Sequence, residues 1–122
     1  DFDLSSCRNA MCAAAPLTTD VQKAVAERLG MSVKQGWGMS ELSPLGTVEL
    51  DDHPNRPGSV GPPCADTAVK IIDLETGDAL PVGEEGELCI KGPQVMKGYL
   101  NEPEKTAECK MPDGWFKTGD IA

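Results

Sequence analysis

Five prolines between residues 42 and 63 constrain the fold most, because they separate two regions with different hydrophobic periods. Proline has no backbone N–H and fits poorly inside helices and central strands, so regular structure is not expected in this run. Apolar residues recur at helical spacing before it and in short alternating runs after it. The sequence therefore predicts an α/β class with two parts, residues 1–50 and residues 51–122.

An amphipathic helix is predicted over Thr19–Leu29. Thr19 is a candidate N-cap, with Gln22 reaching back to complete a capping box, and Gly30 suits the left-handed position after the last turn. The apolar stripe that the helix must bury consists of Leu17, Val21, Ala24, Val25 and Leu29.

Two further segments complete a strand–helix–strand pattern in the first part. Small residues at positions 5–15 favour either a strand packed closely on a helix or a place where a ligand approaches the backbone. Residues 31–34 are too few for anything but the edge of a strand that leads into the next segment. Because ligands of such sheets bind where the carboxyl ends of strands meet loops, residues 1–50 are expected to be the C-terminal part of an α/β nucleotide-binding subdomain.

A glycine-rich turn is predicted next, over residues 35–41, with the sequence Gln-Gly-Trp-Gly-Met-Ser-Glu. Glycine permits close approach to the backbone, and Trp37 offers a stacking surface. Ser40 adds a hydroxyl donor for phosphate and Glu41 a carboxylate for Mg²⁺. The combination predicts a nucleotide site. The alternative is a turn whose Trp37 and Met39 fill a core.

The part after the prolines has β-type patterning. Short strands are predicted over Ala68–Ile72, Glu87–Lys91 and residues 115–117, with a turn at residues 75–78 and a short helix at residues 101–107. Several short strands at this spacing predict a small barrel or sandwich. Residues 51–122 are therefore expected to form a small, distorted β-barrel subdomain.

Thr-Gly-Asp occurs twice, ending at Asp78 and at Asp120. The first copy lies in an acidic turn, whereas the second directly follows an aromatic strand, where a carboxylate is held more rigidly. Carboxylates in dinucleotide sites accept hydrogen bonds from ribose hydroxyls. We therefore expect Asp120, and not Asp78, to bind a ribose.

Charge and cysteine usage exclude several kinds of partner. A net charge of −9 with only 11 Lys and Arg argues against a groove for DNA or RNA. Five cysteines without a Cys-x-x-Cys pair, and a single histidine, make a zinc site improbable. The run Asp51-Asp52-His53 is interpreted as solvated charge rather than a metal cluster.

The cysteines also bear on location. Single cysteines in apolar or small-residue runs are typical of reduced, intracellular proteins, and a cytoplasmic or peroxisomal location is expected. No apolar run approaches the length of a transmembrane segment. The ends of the chain suggest an excerpt of a longer protein, and its sequence does not indicate an oligomeric state.

Five ordered motifs closely resemble the adenylate-forming acyl-CoA synthetases, within them the branch of 4-coumarate–CoA ligase and firefly luciferase. The resemblance covers nearly the whole chain. The motifs are residues 13–17, 35–41, 86–88, 91–101 and 114–120.

The resemblance implies a two-step ligase that uses ATP, Mg²⁺ and coenzyme A on a small-molecule carboxylic acid. Ala13, Ala14 and Ala15 would form one wall of an adenine slot, and Trp37 the other. Ser40 would hold the α-phosphate, Glu41 would bind Mg²⁺, and Asp120 would bind the ribose. Gln35 and Gly36 would line the boundary between the acyl pocket and adenine, and Gly38 would belong to the ATP site. Gly46 and Val48 would line the acyl pocket.

The chain departs from the family pattern at three positions. The family usually has Gly at position 13, Tyr or Phe at position 37 and Thr at position 40; Trp37 keeps a stacking face and Ser40 keeps the hydroxyl. The family's phosphate loop and C-terminal domain with its catalytic lysine would lie outside these residues. The alternatives are an adenylation domain of a peptide synthetase, a luciferase-like oxygenase and a non-catalytic interaction fragment.

Overall fold

The computed structural model describes residues 2–54 and 56–122, and their contacts divide the chain into two compact units. The first unit holds the chain up to Ser40 together with Pro44–Cys64. The second holds Glu41–Ser43 and Ala65–Ala122. Residues 51–64 thus group with the first unit, while the division of the whole protein at residue 50 stays a prediction.

Six strands and two α-helices form the regular structure of the described residues. One short 3₁₀ turn, Ser40–Leu42, follows the second strand. In chain order the elements are β1 Asn9–Cys12, α1 Thr19–Leu29, β2 Ser32–Gly38, β3 Leu45–Val48, β4 Ala68–Ile72, β5 Glu87–Lys91, α2 Pro103–Cys109 and β6 Phe116–Ile121.

The first unit contains a three-stranded mixed sheet in the order β1-β2-β3. β1 and β2 are parallel, with Asn9 opposite Ser32 and Cys12 opposite Gln35. β3 returns antiparallel to β2, and the register shifts between Trp37 and Gly38. α1 connects the two parallel strands and packs on β2. The helix itself is confirmed, but the predicted burial of its apolar stripe is wrong: Val21, Ala24 and Leu29 are exposed, and the buried side chain of α1 is that of Gln22.

The predicted bounds of α1 are confirmed, but its predicted cap is wrong. Thr18 is the N-cap: its backbone is extended, and its Oγ1 accepts the Val21 N–H at 3.4 Å. Gly30 ends the helix in the left-handed conformation, with φ of 65°, as predicted. Gln22 does not reach back to the cap, because its side chain is buried against β2.

The glycine-rich segment is the end of a strand and not a turn. Residues 35–38 continue β2, and Gly36 pairs with Val48 of a strand that the prolines led us not to expect. Glycine makes this pairing possible, since a Cβ on Gly38 would lie 2.0 Å from the Pro44 carbonyl oxygen. The prolines themselves border β3 without entering it: Val48 N donates to the Pro62 carbonyl at 3.0 Å.

The second unit contains an antiparallel sheet in the order β4-β5-β6. The predicted strands β4 and β5 have the observed bounds. The third strand is longer than predicted and begins one residue later, at Phe116, so Thr118–Asp120 lies within β6 and not after it. The buried side chains of Ile72, Cys89, Ile90 and Phe116 form its core.

The short helix α2 begins at Pro103, two residues after the predicted start, and runs to Cys109, two residues beyond the predicted end. Together the two units confirm the α/β class. Neither α1 nor α2, nor any other helix within residues 2–54 and 56–122, is both long and apolar enough to span a bilayer.

Candidate functional site

The carboxyl ends of β1 and β2 meet at one edge of the first sheet because the two strands are parallel. Ala13, Ala14 and Ala15 follow β1 at this edge, just beyond the pairing of Cys12 with Gln35. All three alanines are exposed, and Ala14 has φ of 69°. Left-handed backbone is uncommon for alanine and is enriched at ligand sites. The fold thus brings the alanines to the edge where residues 36–38 end β2.

Gln35 is part of a buried polar network that the sequence did not reveal. Its Nε2 donates to Gln22 Oε1 at 2.9 Å, and the same oxygen accepts the Gly58 N–H at 3.1 Å. The Gln22 amide nitrogen donates to the Val33 carbonyl at 2.7 Å. Gln35 is therefore fixed by its neighbours, which orients the backbone at the start of the glycine segment.

Glu49, directly after β3, is a buried carboxylate that accepts two backbone hydrogen bonds. Its Oε2 accepts from Gln35 N at 2.8 Å and its Oε1 from Arg56 N at 3.0 Å. Hydrogen bonds to charged groups offset part of the free energy needed to bury them. No sequence pattern marks Glu49, because its partners are backbone groups that only the fold brings near.

Trp37 lies half-buried between Gly36 and Gly38 at the register shift of β2. On the neighbouring strand, Gly46 is buried and Val48 is half-buried opposite Gly36. The two predicted acyl-pocket residues of β3 therefore lie beside the predicted stacking residue. Ser40 is exposed and opens the 3₁₀ turn that follows.

Glu41 belongs to the second unit, where one segment holds both its backbone and its side chain. The Glu41 carbonyl accepts the Met96 N–H, and its Oε1 accepts the Tyr99 hydroxyl, each at 2.7 Å. The hydrogen bond to Glu41 raises the pKa of Tyr99 to about 12. Tyr99 was not among the predicted site residues, although it lies in one of the motifs that carry the resemblance.

The chemistry of Glu41 fits a magnesium ion. Mg²⁺ is usually held by one or two carboxylates together with phosphate oxygens and water. Within the described residues, Glu41 Oε2 accepts no hydrogen bond, and no group of three His, Cys, Asp or Glu side chains forms a protein-only metal cage. A half-buried carboxylate with one such oxygen is a suitable donor for a nucleotide-bound Mg²⁺.

Asp120 is exposed on β6, where the strand pairs irregularly with β5. Its N–H donates to Thr118 Oγ1 at 3.1 Å. The preceding Gly119 has φ of 76°, and its N–H donates to Glu87 Oε1 at 3.0 Å. The strand and the Glu87 contact fix the backbone that carries the Asp120 carboxylate.

Asp78 lies instead in a surface turn organised by Asp73. The Asp73 carboxylate accepts backbone N–H groups from Thr76 and Glu75, and these hydrogen bonds lower the pKa of Asp73. Asp73 N also donates to the Asp78 carbonyl at 2.9 Å. In the run Asp51-Asp52-His53, Asp52 Oδ1 lies 2.9 Å from His53 Nδ1, and Asp51 Oδ1 lies 3.0 Å from Nζ of the buried Lys34.

The family model "AMP-binding enzyme" matches residues 1–100. The chain is 47% identical to probable 4-coumarate–CoA ligase 2 of Dictyostelium discoideum, covering 98% of the chain and 22% of the relative. It is 41% identical to luciferin 4-monooxygenase of Photinus pyralis, and this match covers 99% of the chain and 22% of the relative. The chain thus spans less than a quarter of the length of these relatives.

Among solved structures, ATP-bound MatB from Rhodopseudomonas palustris superimposes with a TM-score of 0.86 at 37% identity. The match covers 91% of the chain and 22% of that structure. Both the fold and the sequence of the chain therefore resemble those of adenylate-forming proteins. The motif residues described above, including Glu41 and Asp120, belong to this shared region.

Proposed function

Because this chain belongs to the AMP-binding enzyme family, we propose that the whole protein is an ATP-dependent carboxylic acid–CoA ligase similar to 4-coumarate–CoA ligases. The observation that carries the proposal is the identity of 47% over nearly the whole chain with a probable 4-coumarate–CoA ligase. The arrangement of the motif residues at strand ends supports it, since ligands of α/β sheets bind there.

The proposed reaction has two steps. A carboxylate oxygen of the acid bonds to the α-phosphorus of ATP as the bond to pyrophosphate breaks. The sulfur of coenzyme A then bonds to the acyl carbon, AMP leaves, and the thiol proton passes to solvent. Both steps depend mainly on positioning and on stabilising charge at phosphorus or carbon.

The adenine is proposed to bind between Ala13–Ala15 and Trp37. Two features support this role: the alanines are exposed at the sheet edge, and the flanking glycines leave the backbone beside Trp37 without side chains. Gly36 and Gly38 would allow the ligand to approach the strand closely. Gln35, fixed by its buried network, would border the acyl pocket with Gly46 and Val48 of β3.

The phosphate and ribose are proposed to contact Ser40 and Asp120. The Ser40 hydroxyl is exposed and would donate to the α-phosphate. Asp120 would accept hydrogen bonds from the ribose hydroxyls, and Glu41 would hold Mg²⁺ through its carboxylate. When bound, Mg²⁺ supplies positive charge that neutralises phosphate oxygens during transfer.

The same proposal includes three further parts. The whole protein divides into subdomains at residue 50, it is located in the cytoplasm or peroxisome, and CoA is the acyl acceptor. Five free cysteines, Cys7, Cys12, Cys64, Cys89 and Cys109, support a reducing compartment.

The test uses the full-length protein with ATP, Mg²⁺ and a panel of hydroxycinnamic, fatty and luciferin-like acids. We expect acid-dependent exchange of labelled pyrophosphate into ATP, and a thioester when coenzyme A is added. Exchange without thioester formation would favour a carrier-protein acceptor, as in peptide synthetases. No exchange with any acid would contradict the proposal.

A further inference from the structure

We propose that Tyr99 is a positioning residue for the carboxylate of Glu41, and that helix α2 holds Tyr99 in place for this purpose. The inference rests on the proposed function, because it takes Glu41 as the residue that binds Mg²⁺. The position of the Glu41 carboxylate would then depend on Tyr99, 58 positions away in sequence, and on helix α2.

Two hydrogen bonds fix Glu41 against a single segment of the second unit. The Tyr99 hydroxyl donates to Glu41 Oε1 at 2.7 Å, and Met96 N donates to the Glu41 carbonyl at 2.7 Å. Hydroxyl-to-carboxylate bonds are charge-assisted and strong. Since one contact holds the backbone and the other holds an oxygen of the side chain, rotation of the carboxylate is restricted.

The contact leaves one carboxylate oxygen for a metal. Oε1 accepts the Tyr99 hydroxyl, and Oε2 has no donor among the described residues. A carboxylate that binds a metal through one oxygen is commonly oriented by a hydrogen bond to the other. The arrangement at Glu41 has this form.

Helix α2 fixes the segment that carries Tyr99. Tyr99 N donates to Thr106 Oγ1 at 2.9 Å, and Lys110 Nζ donates to the carbonyls of Met96 and Lys97 at 3.0 and 3.3 Å. Both ends of residues 96–99 are therefore bound by side chains of the helix or of its C-cap residue Lys110.

Glycine is required within this segment. A Cβ on Gly98 would lie 2.8 Å from Thr106 Cγ2, so only glycine lets the chain approach α2 this closely. The close approach places Tyr99 N within reach of the Thr106 hydroxyl. The lysine and threonine contacts thus have a common effect, which is to fix the base of the Tyr99 side chain.

The principal experiment replaces Tyr99→Phe in the full-length protein, which removes the hydroxyl and keeps the ring. Binding of Mn²⁺ is measured by electron paramagnetic resonance in the presence of α,β-methylene-ATP. We expect Mn²⁺ to bind about tenfold more weakly, since loss of such an outer contact typically lowers metal affinity 10–100-fold. Pyrophosphate release at low Mg²⁺ should fall similarly and recover at high Mg²⁺.

The matched control is Thr67→Val, which removes a hydroxyl of the second unit that accepts from Gln94 Nε2 at 2.8 Å and donates to the Ala65 carbonyl rather than to Glu41. It should leave Mn²⁺ binding unchanged. Thermal melting of both variants separates a change in metal affinity from a change in stability. If Tyr99→Phe lowers the melting temperature but leaves Mn²⁺ affinity at the wild-type value, Tyr99 is structural only and the proposal is wrong.

Glu41→Gln distinguishes failure of the Tyr99 role from failure of the metal role of Glu41, while acid-dependent pyrophosphate exchange tests the proposed function separately. If Glu41→Gln leaves Mn²⁺ binding unchanged, Glu41 does not bind the metal, and the inference about Tyr99 is wrong as well. If Glu41→Gln weakens Mn²⁺ binding while Tyr99→Phe does not, only the role of Tyr99 is wrong. In the double variant, we expect no further loss beyond that of Glu41→Gln alone.

Discussion

At the scale of single residues, the two Thr-Gly-Asp tripeptides differ in their surroundings rather than in their chemistry. Asp78 lies in a turn whose conformation is set by the Asp73 carboxylate. Asp120 lies on a strand whose backbone is tied to Glu87, which also contacts Lys117 at 3.4 Å. A carboxylate on the strand backbone has fewer orientations to lose on binding a ligand, which favours Asp120 as the binding residue.

The Asp120→Ala variant of the full-length protein should weaken ATP binding by roughly 1.5–3 kcal/mol, the value of hydrogen bonds to a charged acceptor. Isothermal titration with ATP measures the loss. Asp78→Ala is the matched control, because it removes the same side chain from the same tripeptide. An equal loss in both variants would show that the assignment to Asp120 is mistaken.

Trp37 is expected to stack on adenine. Trp37→Ala should weaken ATP binding by about 1–3 kcal/mol, while Trp37→Tyr should be nearly neutral because it keeps an aromatic face. Melting temperatures are measured alongside ATP affinity, since Trp37 is half-buried. Lower melting temperatures with unchanged ATP affinity in both variants would instead support the interpretation of Trp37 as a core residue.

At the scale of elements, local patterns predicted α1, β4 and β5 with their observed bounds, because each has a clear period and clear ends. The same reasoning failed for β3. Its pairing depends on the absence of side chains at Gly36 and Gly38 in a different strand, and a single stretch of sequence does not reveal that dependence. For the same reason the glycine segment was predicted as a turn, although it continues β2.

Glu49 should contribute to stability through its two backbone donors. Glu49→Leu would leave the buried N–H of Gln35 without its acceptor, which costs roughly 1–3 kcal/mol, and would also remove the contact with the Arg56 N–H. Urea unfolding of the full-length protein measures this loss. Glu85→Leu, which changes an exposed acid, should have little effect. Comparable destabilisation by both variants would mean that the Glu49 contacts contribute little.

At the scale of the whole molecule, the candidate site depends on contacts between residues far apart in sequence. The chemistry of residues 35–41 and the family resemblance both predicted Glu41 as a site residue. Neither predicted its contact with Tyr99, since the motif containing Tyr99 gives no partner for its hydroxyl. In the first unit, Met11, Val21 and Leu29 remain between 42 and 55% exposed. Exposed apolar side chains of this size lead us to expect association with other protein surfaces.

These 122 residues alone should not catalyse acid-dependent pyrophosphate release, and they should associate in solution through the exposed apolar residues of the first unit. Sedimentation velocity and a pyrophosphate assay, run in parallel on this chain and on the full-length protein, measure both properties. A monomeric chain, or release that depends on the added acid, would contradict this expectation.

The Gln22 side chain has a consequence for how the first unit opens. Its amide binds the β2 backbone at Val33, the Gln35 side chain and the backbone of Gly58 in the proline-rich loop. Each of these segments must break a hydrogen bond to this one side chain to separate from α1. In native-state hydrogen exchange, we therefore expect the amides of α1, β2 and Gly58 to open as one cooperative unit with a shared free energy. An irregular loop would then exchange as slowly as the helix beside it.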